Sequence, residues 1–176
     1  EDMHSLPREF RERLNRDFTV SLPSITKRLD SSDKTLKLLS ALSDGERIET
    51  VFIPALGRST VCLSSQAGCK FGCRFCASGV GGWKRDLSVA EILGQVSLAR
   101  VAAGSAARVS HIVFMGTGEP LDNFATVIRA ITVINDTHGF HIGARRITIS
   151  TCGIIPRIRE LAAQPLQIEL AVSLHG

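Results

Sequence analysis

Cys69, Cys73 and Cys76 set three thiols at a C-x3-C-x2-C spacing within the eight residues Cys69-Lys70-Phe71-Gly72-Cys73-Arg74-Phe75-Cys76. Thiolates are soft ligands for iron and zinc, and three this close in sequence must come from one tight loop. Such a loop can wrap one corner of an iron–sulfur cube and leave the fourth iron without a protein ligand. That iron is then free to bind and activate a small molecule. A structural zinc site is the alternative, and it prefers a closed set of four Cys or His ligands. No fourth Cys or His stands at a zinc-ribbon spacing, because Cys62 lies upstream on an expected strand and His111 lies far downstream.

The bulk properties narrow the setting. The chain has 176 residues, 44% of them hydrophobic, which suffices for one ordinary core. Its first residues do not resemble a secretory signal, and no apolar run approaches the ~20 residues that span a bilayer. The expectation is a soluble, cytoplasmic monomer with no membrane partner. Five cysteines is an odd number, and three of them crowd one loop, which suits ligation in a reducing compartment better than a disulfide framework. The net charge of +4 is uneven: residues 1–60 hold 10 Lys/Arg and 10 Asp/Glu, whereas residues 61–176 hold 11 and 7. A basic surface on the cysteine-bearing part would suit an RNA partner; composition alone allows a plain solvated surface equally well.

The elements that must carry the cysteine loop can be read in order. Leu6, Phe10, Leu14 and Phe18 recur four apart among Arg8, Arg11, Arg13 and Arg16, the stripe of an amphipathic helix opening near Ser5-Leu6-Pro7. Residues 35–42 and 47–53 flank Ser43-Asp44-Gly45-Glu46, a hairpin signal between two antiparallel strands. Residues 59–64 form a strand leading into the loop. Beyond Gly82 the pattern alternates: a helix over 88–103 capped by Ser88 with Glu91 three residues later, a strand over 110–115, a helix over 123–138, a strand over 146–150, a short helix over 156–163 and a strand over 168–174. This alternation predicts about four parallel strands with right-handed crossovers. The fold class is therefore α/β, a partial βα barrel preceded by a helix and a β-hairpin. Polar or special residues follow each of these strands, and in such barrels the loops at the C-terminal strand ends build the active site. The chain begins at Glu1 without Met, which reads as a piece of a longer protein.

Cysteines at this spacing, with the aromatic Phe75 just before the last, resemble the signature of radical S-adenosylmethionine (SAM) enzymes. Five ordered blocks sharpen the likeness: Glu49-Thr50-Val51-Phe52-Ile53-Pro54, Cys62-Leu63-Ser64-Ser65-Gln66-Ala67-Gly68-Cys69, Gly116-Thr117-Gly118-Glu119-Pro120-Leu121, Ile147-Thr148-Ile149-Ser150-Thr151-Cys152-Gly153 and Ser173-Leu174-His175. Together they resemble the RlmN/Cfr family of RNA adenosine methyltransferases, from about Leu6 to the last residue. The likeness implies a domain plan in which 1–34 end a helical accessory region, 35–58 form a hairpin extension and 59–176 form the first part of a radical SAM core.

The resemblance also implies roles. Cys69, Cys73 and Cys76 would hold a [4Fe-4S] cluster whose open iron chelates SAM, and an electron from it would give a deoxyadenosyl radical. Glu119 would accept hydrogen bonds from the SAM ammonium, with Phe75, Gly118, Ser150, Ser173, Leu174 and His175 completing the pocket. Glu49 would accept a proton, and Cys62 would release the RNA adduct through a disulfide to a second cysteine that carries the methyl group. The substrate would be adenosine carbon 2 of large-subunit ribosomal RNA, with tRNA as a second substrate and an electron donor such as flavodoxin. The family's methyl-carrying cysteine belongs near its C-terminus and has no counterpart here, since Cys152 stands in the place of a serine. These 176 residues alone are therefore not expected to complete methylation. Thr117 stands where the family usually has Met, and Gly176 where it has Ala. Two rival readings follow from these departures: a radical SAM relative acting on something else, and a non-catalytic metal-stabilised RNA-binding module.

Overall fold

In the computed structural model, which describes residues 5–19, 22–104 and 107–174, alternating side chains dictate the sheet. Along β2 (Leu36–Ala41) and β3 (Arg47–Ala55), Leu36, Leu38, Ser40, Ile48, Thr50 and Phe52 are buried, while the residues that alternate with them stay partly exposed. Gly45, with φ of 88°, makes the turn between them. β1 (Ser24–Asp30) and β4 (Arg58–Cys62) flank this hairpin to complete an antiparallel meander. Then β4 pairs in parallel with β7 (His111–Phe114), β7 with β8 (Ile147–Thr151) and β8 with β9 (Glu169–Val172). The seven strands form one sheet in the order β1-β2-β3-β4-β7-β8-β9. β5 (Gln66–Ala67) and β6 (Arg85–Asp86) form a separate short ladder.

Helices cover one face. α2 (Val89–Ala102) opens with the expected capping box, Ser88 and Glu91 each satisfying the other's backbone N–H. Ile92, Val96 and Ala99 of α2 join Val127, Ala130, Ile131 and Ile134 of α3 (Phe124–Asn135) over Val61, Ile112, Phe114, Ile147 and Ile149 of the parallel strands. α4 (Ile155–Ala162) adds Leu161. Because side chains alternate along strands, Glu49, Cys62, Val113 and Ser150 take the opposite, helix-free face. The four parallel strands with helices on one side form the partial βα barrel expected from the alternation. No helix among the described residues is long and apolar enough to cross a membrane.

Two features depart from the pattern reading. Ser24–Asp30, in the segment expected to end a helical region, is a strand with every residue exposed, so it carried no burial signal. α1 (Arg8–Asp17) forms after Pro7 as the spacing predicts, yet buries none of its residues.

One buried side chain ties this frame to the cysteine loop. Gln95, fully buried on α2, accepts hydrogen bonds from the Thr50 hydroxyl (3.0 Å) and the Ser64 N–H (2.8 Å) and donates to the Ser64 carbonyl (3.0 Å). It thereby sets the direction in which the chain leaves β4. Gln95→Leu would orphan both backbone groups of Ser64 and should cost about 2–4 kcal/mol. A thermal melt reads this as a midpoint lowered by several degrees, and an unchanged midpoint would deny Gln95 that role.

Candidate functional site

The cysteine loop hangs between β5 and β6, and its base is fixed by charged and amide side chains. Arg85 is paired with Asp44 of the hairpin turn and with Glu91 at the start of α2, the latter at 2.7 Å. Burial alone would raise the Glu91 carboxyl, but Arg85 and the Ser88 N–H outweigh it and hold the group below its ordinary value. Gln66 donates to Asp86 (2.8 Å) and Asp122 (2.7 Å). Lys70, within the loop, pairs with Asp122 at 2.8 Å and lies 5.2 Å from the centre of the Trp83 ring.

Gly68 begins the loop at φ +76°, where an added Cβ would stand 1.9 Å from the Gly82 carbonyl oxygen. Only glycine satisfies both the conformation and the contact. Gly68→Ala is expected to destabilise the chain by about 2 kcal/mol or more and to weaken iron retention with it. Chemical denaturation and iron analysis of the same sample would test both; normal values for each would contradict the assignment.

The turn after β7 is woven against the strand exit. The Ser65 and Gln66 N–H groups donate to the Thr117 carbonyl, the Thr117 N–H donates to the Ser64 hydroxyl (2.9 Å), and that hydroxyl donates to the Glu49 carbonyl (2.7 Å). Gly118 takes φ +102°, and a Cβ there would meet Gln66 at 2.6 Å. Gln66 in turn accepts the Glu119 N–H at 2.9 Å. The Glu119 side chain, only 5% exposed, accepts the Leu121 N–H on one oxygen (2.9 Å) and the Cys152 N–H on the other (2.8 Å). The Cys152 thiol hydrogen-bonds to the same carboxylate, and a carboxylate with about four acceptor sites has capacity beyond these three contacts. The carboxylate thus bridges the ends of β7 and β8 while remaining able to accept a further donor.

These parts meet around one cavity of about 300 Å³ at the C-terminal ends of the parallel strands. Its walls include Cys69, Cys73, Phe75, Cys76, Gly118, Glu119, Ser150 and Ser173. The Ser173 N–H donates to the Thr151 carbonyl (2.9 Å), and the Ser150 and Ser173 hydroxyl oxygens lie 3.5 Å apart. Burial, with Cys76, Glu119 and Cys73 nearby, pushes the Cys69 thiol up. Leu174 is 85% exposed and does not line the cavity; His175 lies outside the described residues. Cys152, to which the sequence assigned no part, also lines the cavity. Burial and the Glu119 carboxylate push its thiol up to about 12. All five cysteines are free thiols.

Glu49 and Cys62 lie together next door, on the helix-free face. Burial raises the Cys62 thiol, against a hydrogen bond from the Met115 N–H, and Glu49 is close enough to add to the rise. Glu49 also pairs with Lys37 at 2.8 Å, a partner that sequence reading missed. Glu49 lines a second cavity of about 330 Å³ with Thr117 and Lys84, and Ser78 lines both cavities. Thr117 therefore faces the Glu49 side rather than the thiols.

The model of the radical SAM superfamily matches residues 63–176, which hold the cysteine loop and all the parallel units beyond it. This chain belongs to the radical SAM superfamily. Radical SAM chains use a [4Fe-4S] cluster and SAM, and the donors here fit that pair. Among the described residues no three Cys, His, Asp or Glu side chains stand close enough together to close around a single metal ion. Zinc needs its sulfurs in one shell at ~2.3 Å, whereas a cube takes one thiolate on each of several irons. Three thiols of one loop that share a cavity with a carboxylate and hydroxyls suit the cube.

This radical SAM chain is 48% identical over 176 residues to a "Probable dual-specificity RNA methyltransferase RlmN" of Clostridium acetobutylicum, covering 99% of this chain and 50% of that protein. Its likeness to the protein of the same name from Akkermansia muciniphila is 47% over 182 residues, covering 99% and 50%. A solved structure, titled as a radical SAM methyltransferase from Sphaerobacter thermophilus, superposes with a TM-score of 0.91 at 39% identity, covering 98% of this chain and 51% of that one. The chain thus spans about half the length of the relatives it matches.

Proposed function

We propose that this chain is the cluster-bearing part of a radical SAM RNA methyltransferase acting on adenosine carbon 2 of large-subunit ribosomal RNA and of tRNA. One observation carries the reading: three thiols of one loop share a cavity with Glu119, Ser150 and Ser173 at the strand ends, in a chain so similar to proteins named RNA methyltransferases.

In this reading Cys69, Cys73 and Cys76 hold a [4Fe-4S] cluster. When bound and reduced, it supplies the single electron that cleaves a carbon–sulfur bond of SAM. Glu119 takes the SAM ammonium on the acceptor capacity that its two backbone partners and the Cys152 thiol leave free. Ser150 and Ser173 offer hydroxyls to the polar part of SAM, while Phe75 and the bare backbone at Gly118 shape its seat. Glu49 removes a proton from the substrate side, and its pairing with Lys37 orients it. Cys62, buried and protonated at rest, serves as a thiol in the late disulfide-forming step. A flavodoxin-type donor supplies the electron to a cytoplasmic monomer.

The protein expressed from its full reading frame, in cells lacking their own adenosine carbon-2 methyltransferase, tests this. Mass spectrometry of digested ribosomal RNA should reveal 2-methyladenosine. Finding 8-methyladenosine, or no methylated adenosine, would overturn the substrate assignment.

A further inference from the structure

A cavity of about 790 Å³, against about 300 Å³ for the one holding the thiols, lies at the opposite, N-terminal ends of the parallel strands. Thr60 pairs with His111 and Ile112 with Ile147, so Arg58, Ser110 and Arg146 stand at neighbouring strand starts. All three line this cavity, together with Arg28, Lys34 and Arg108. A smaller cavity of about 350 Å³ shares Arg108, Ser110 and Arg146 and adds Arg100 and His141.

The cluster is built rather than scattered. The Ser110 hydroxyl accepts the Ser59 N–H (2.9 Å) and donates to the Ser59 carbonyl (3.0 Å), and the Ser59 hydroxyl donates to the Arg108 carbonyl. These bonds fasten the segment bearing Arg108 to the start of β4. Burial and the nearby Arg58 and Arg146 hold the His111 imidazole below its ordinary value, which places both guanidiniums within electrostatic reach of one ring. Among the described residues, the sole acid lining either cavity is Asp30, already paired with Arg28 at 2.7 Å. Among the described residues, Arg58, Arg100, Arg108 and Arg146 have no carboxylate within ion-pair distance.

Guanidiniums gathered without carboxylates repel one another, and a polyanion relieves that repulsion. Four of them across two adjoining cavities exceed what one phosphate group can satisfy. A nucleic-acid backbone supplies one phosphate per nucleotide, each open to bidentate pairing with Arg. We infer that this end of the barrel is a second RNA contact, gripping the phosphates of a stem remote from the nucleotide that enters the thiol-lined cavity. The inference rests on the RNA reading above and adds a geometric demand. The two ends are separated by the length of a strand such as β8, roughly 16 Å at ~3.3 Å per residue, so the RNA that occupies both must extend from one end of the barrel to the other.

The test compares the chain with its Arg58→Ala/Arg108→Ala/Arg146→Ala variant, both carrying reconstituted clusters, by fluorescence anisotropy of a labelled RNA hairpin across a salt series. The variant should bind about 10-fold more weakly or worse, and its log K against log salt should be shallower by roughly 2 to 3. Its cluster absorption, and the change SAM makes in it, should match the parent's, which also reports that the variant folds. A charge-matched Arg13→Ala/Arg129→Ala/Arg159→Ala variant should bind nearly as the parent does. Equal affinity and slope in parent and first variant, or an equal loss in the charge-matched one, would overturn the site while leaving the RNA reading intact. A parent that binds SAM but no RNA would overturn the RNA reading and this site with it. Displacement of the hairpin by polyglutamate as readily as by unlabelled RNA would overturn the inference in favour of an acidic protein segment.

Discussion

Alanine at any one of Cys69, Cys73 and Cys76 is expected to strip the anaerobically reconstituted chain of its visible absorption and most of its iron, and to lower SAM cleavage by about 100-fold or more. The three thiols come from one loop and line one cavity. A cube held by three thiolates has no spare protein ligand when one is lost, and changes merely behind a metal's ligands already cost about 10- to 100-fold. Cys62→Ala and Cys152→Ser are the discriminating controls. Cys62 lies on the helix-free face beside Glu49, and Cys152 holds Glu119 through its backbone N–H, which serine retains. Both should keep cluster and cleavage. A chain that loses its cluster through Cys152→Ser but keeps it through Cys76→Ala would invert the ligand assignment.

Glu119→Gln is expected to leave the cluster in place and weaken SAM binding by more than about 10-fold. Both Glu119 oxygens accept backbone N–H groups, from Leu121 and Cys152. An amide in the same place can accept only one of them and turns its NH2 toward the other. Two donors then face each other in a nearly buried setting, an arrangement costing about 1–3 kcal/mol, and the negative charge that attracts an ammonium is gone. The corresponding Glu119→Asp variant keeps the charge but is too short to hold both strand ends, and should fall between the two. Equilibrium dialysis of SAM against the iron-loaded variants measures the order; equal affinity for parent and Gln variant would remove Glu119 from the SAM seat.

The residues that gather at the candidate site were legible because their signals are local. The thiol spacing needs no tertiary context, the Ser88–Glu91 capping box is complete within four residues, and strands of the parallel units are short apolar runs. Barrel logic then gathers residues that follow different strands, and Cys69, Glu119, Ser150 and Ser173 do share one cavity. Contributions made by the backbone, or by residues distant in sequence, were not legible. Cys152 meets Glu119 through an N–H group that every residue but proline has, and through its thiol; its position directly after β8 was the available clue. Lys37 meets Glu49 only through the pairing of β2 with β3. β1 is exposed along its whole length, and the β5–β6 ladder spans two residues a side, held by Gln66 and Arg85 rather than by an apolar pattern. The basic cavity escaped because its arginines lie far apart in sequence and meet only at the strand starts.

Electron–nuclear double resonance on the reduced, cluster-loaded chain, mixed with SAM carrying 15N at its amino group, tests the central claim most directly. A strong 15N coupling to the cluster is expected, absent with unlabelled SAM and lost in Glu119→Gln at sub-saturating SAM. A reduced cluster with an unaltered spectrum and no 15N coupling at saturating SAM would contradict an open iron that seats SAM in this cavity.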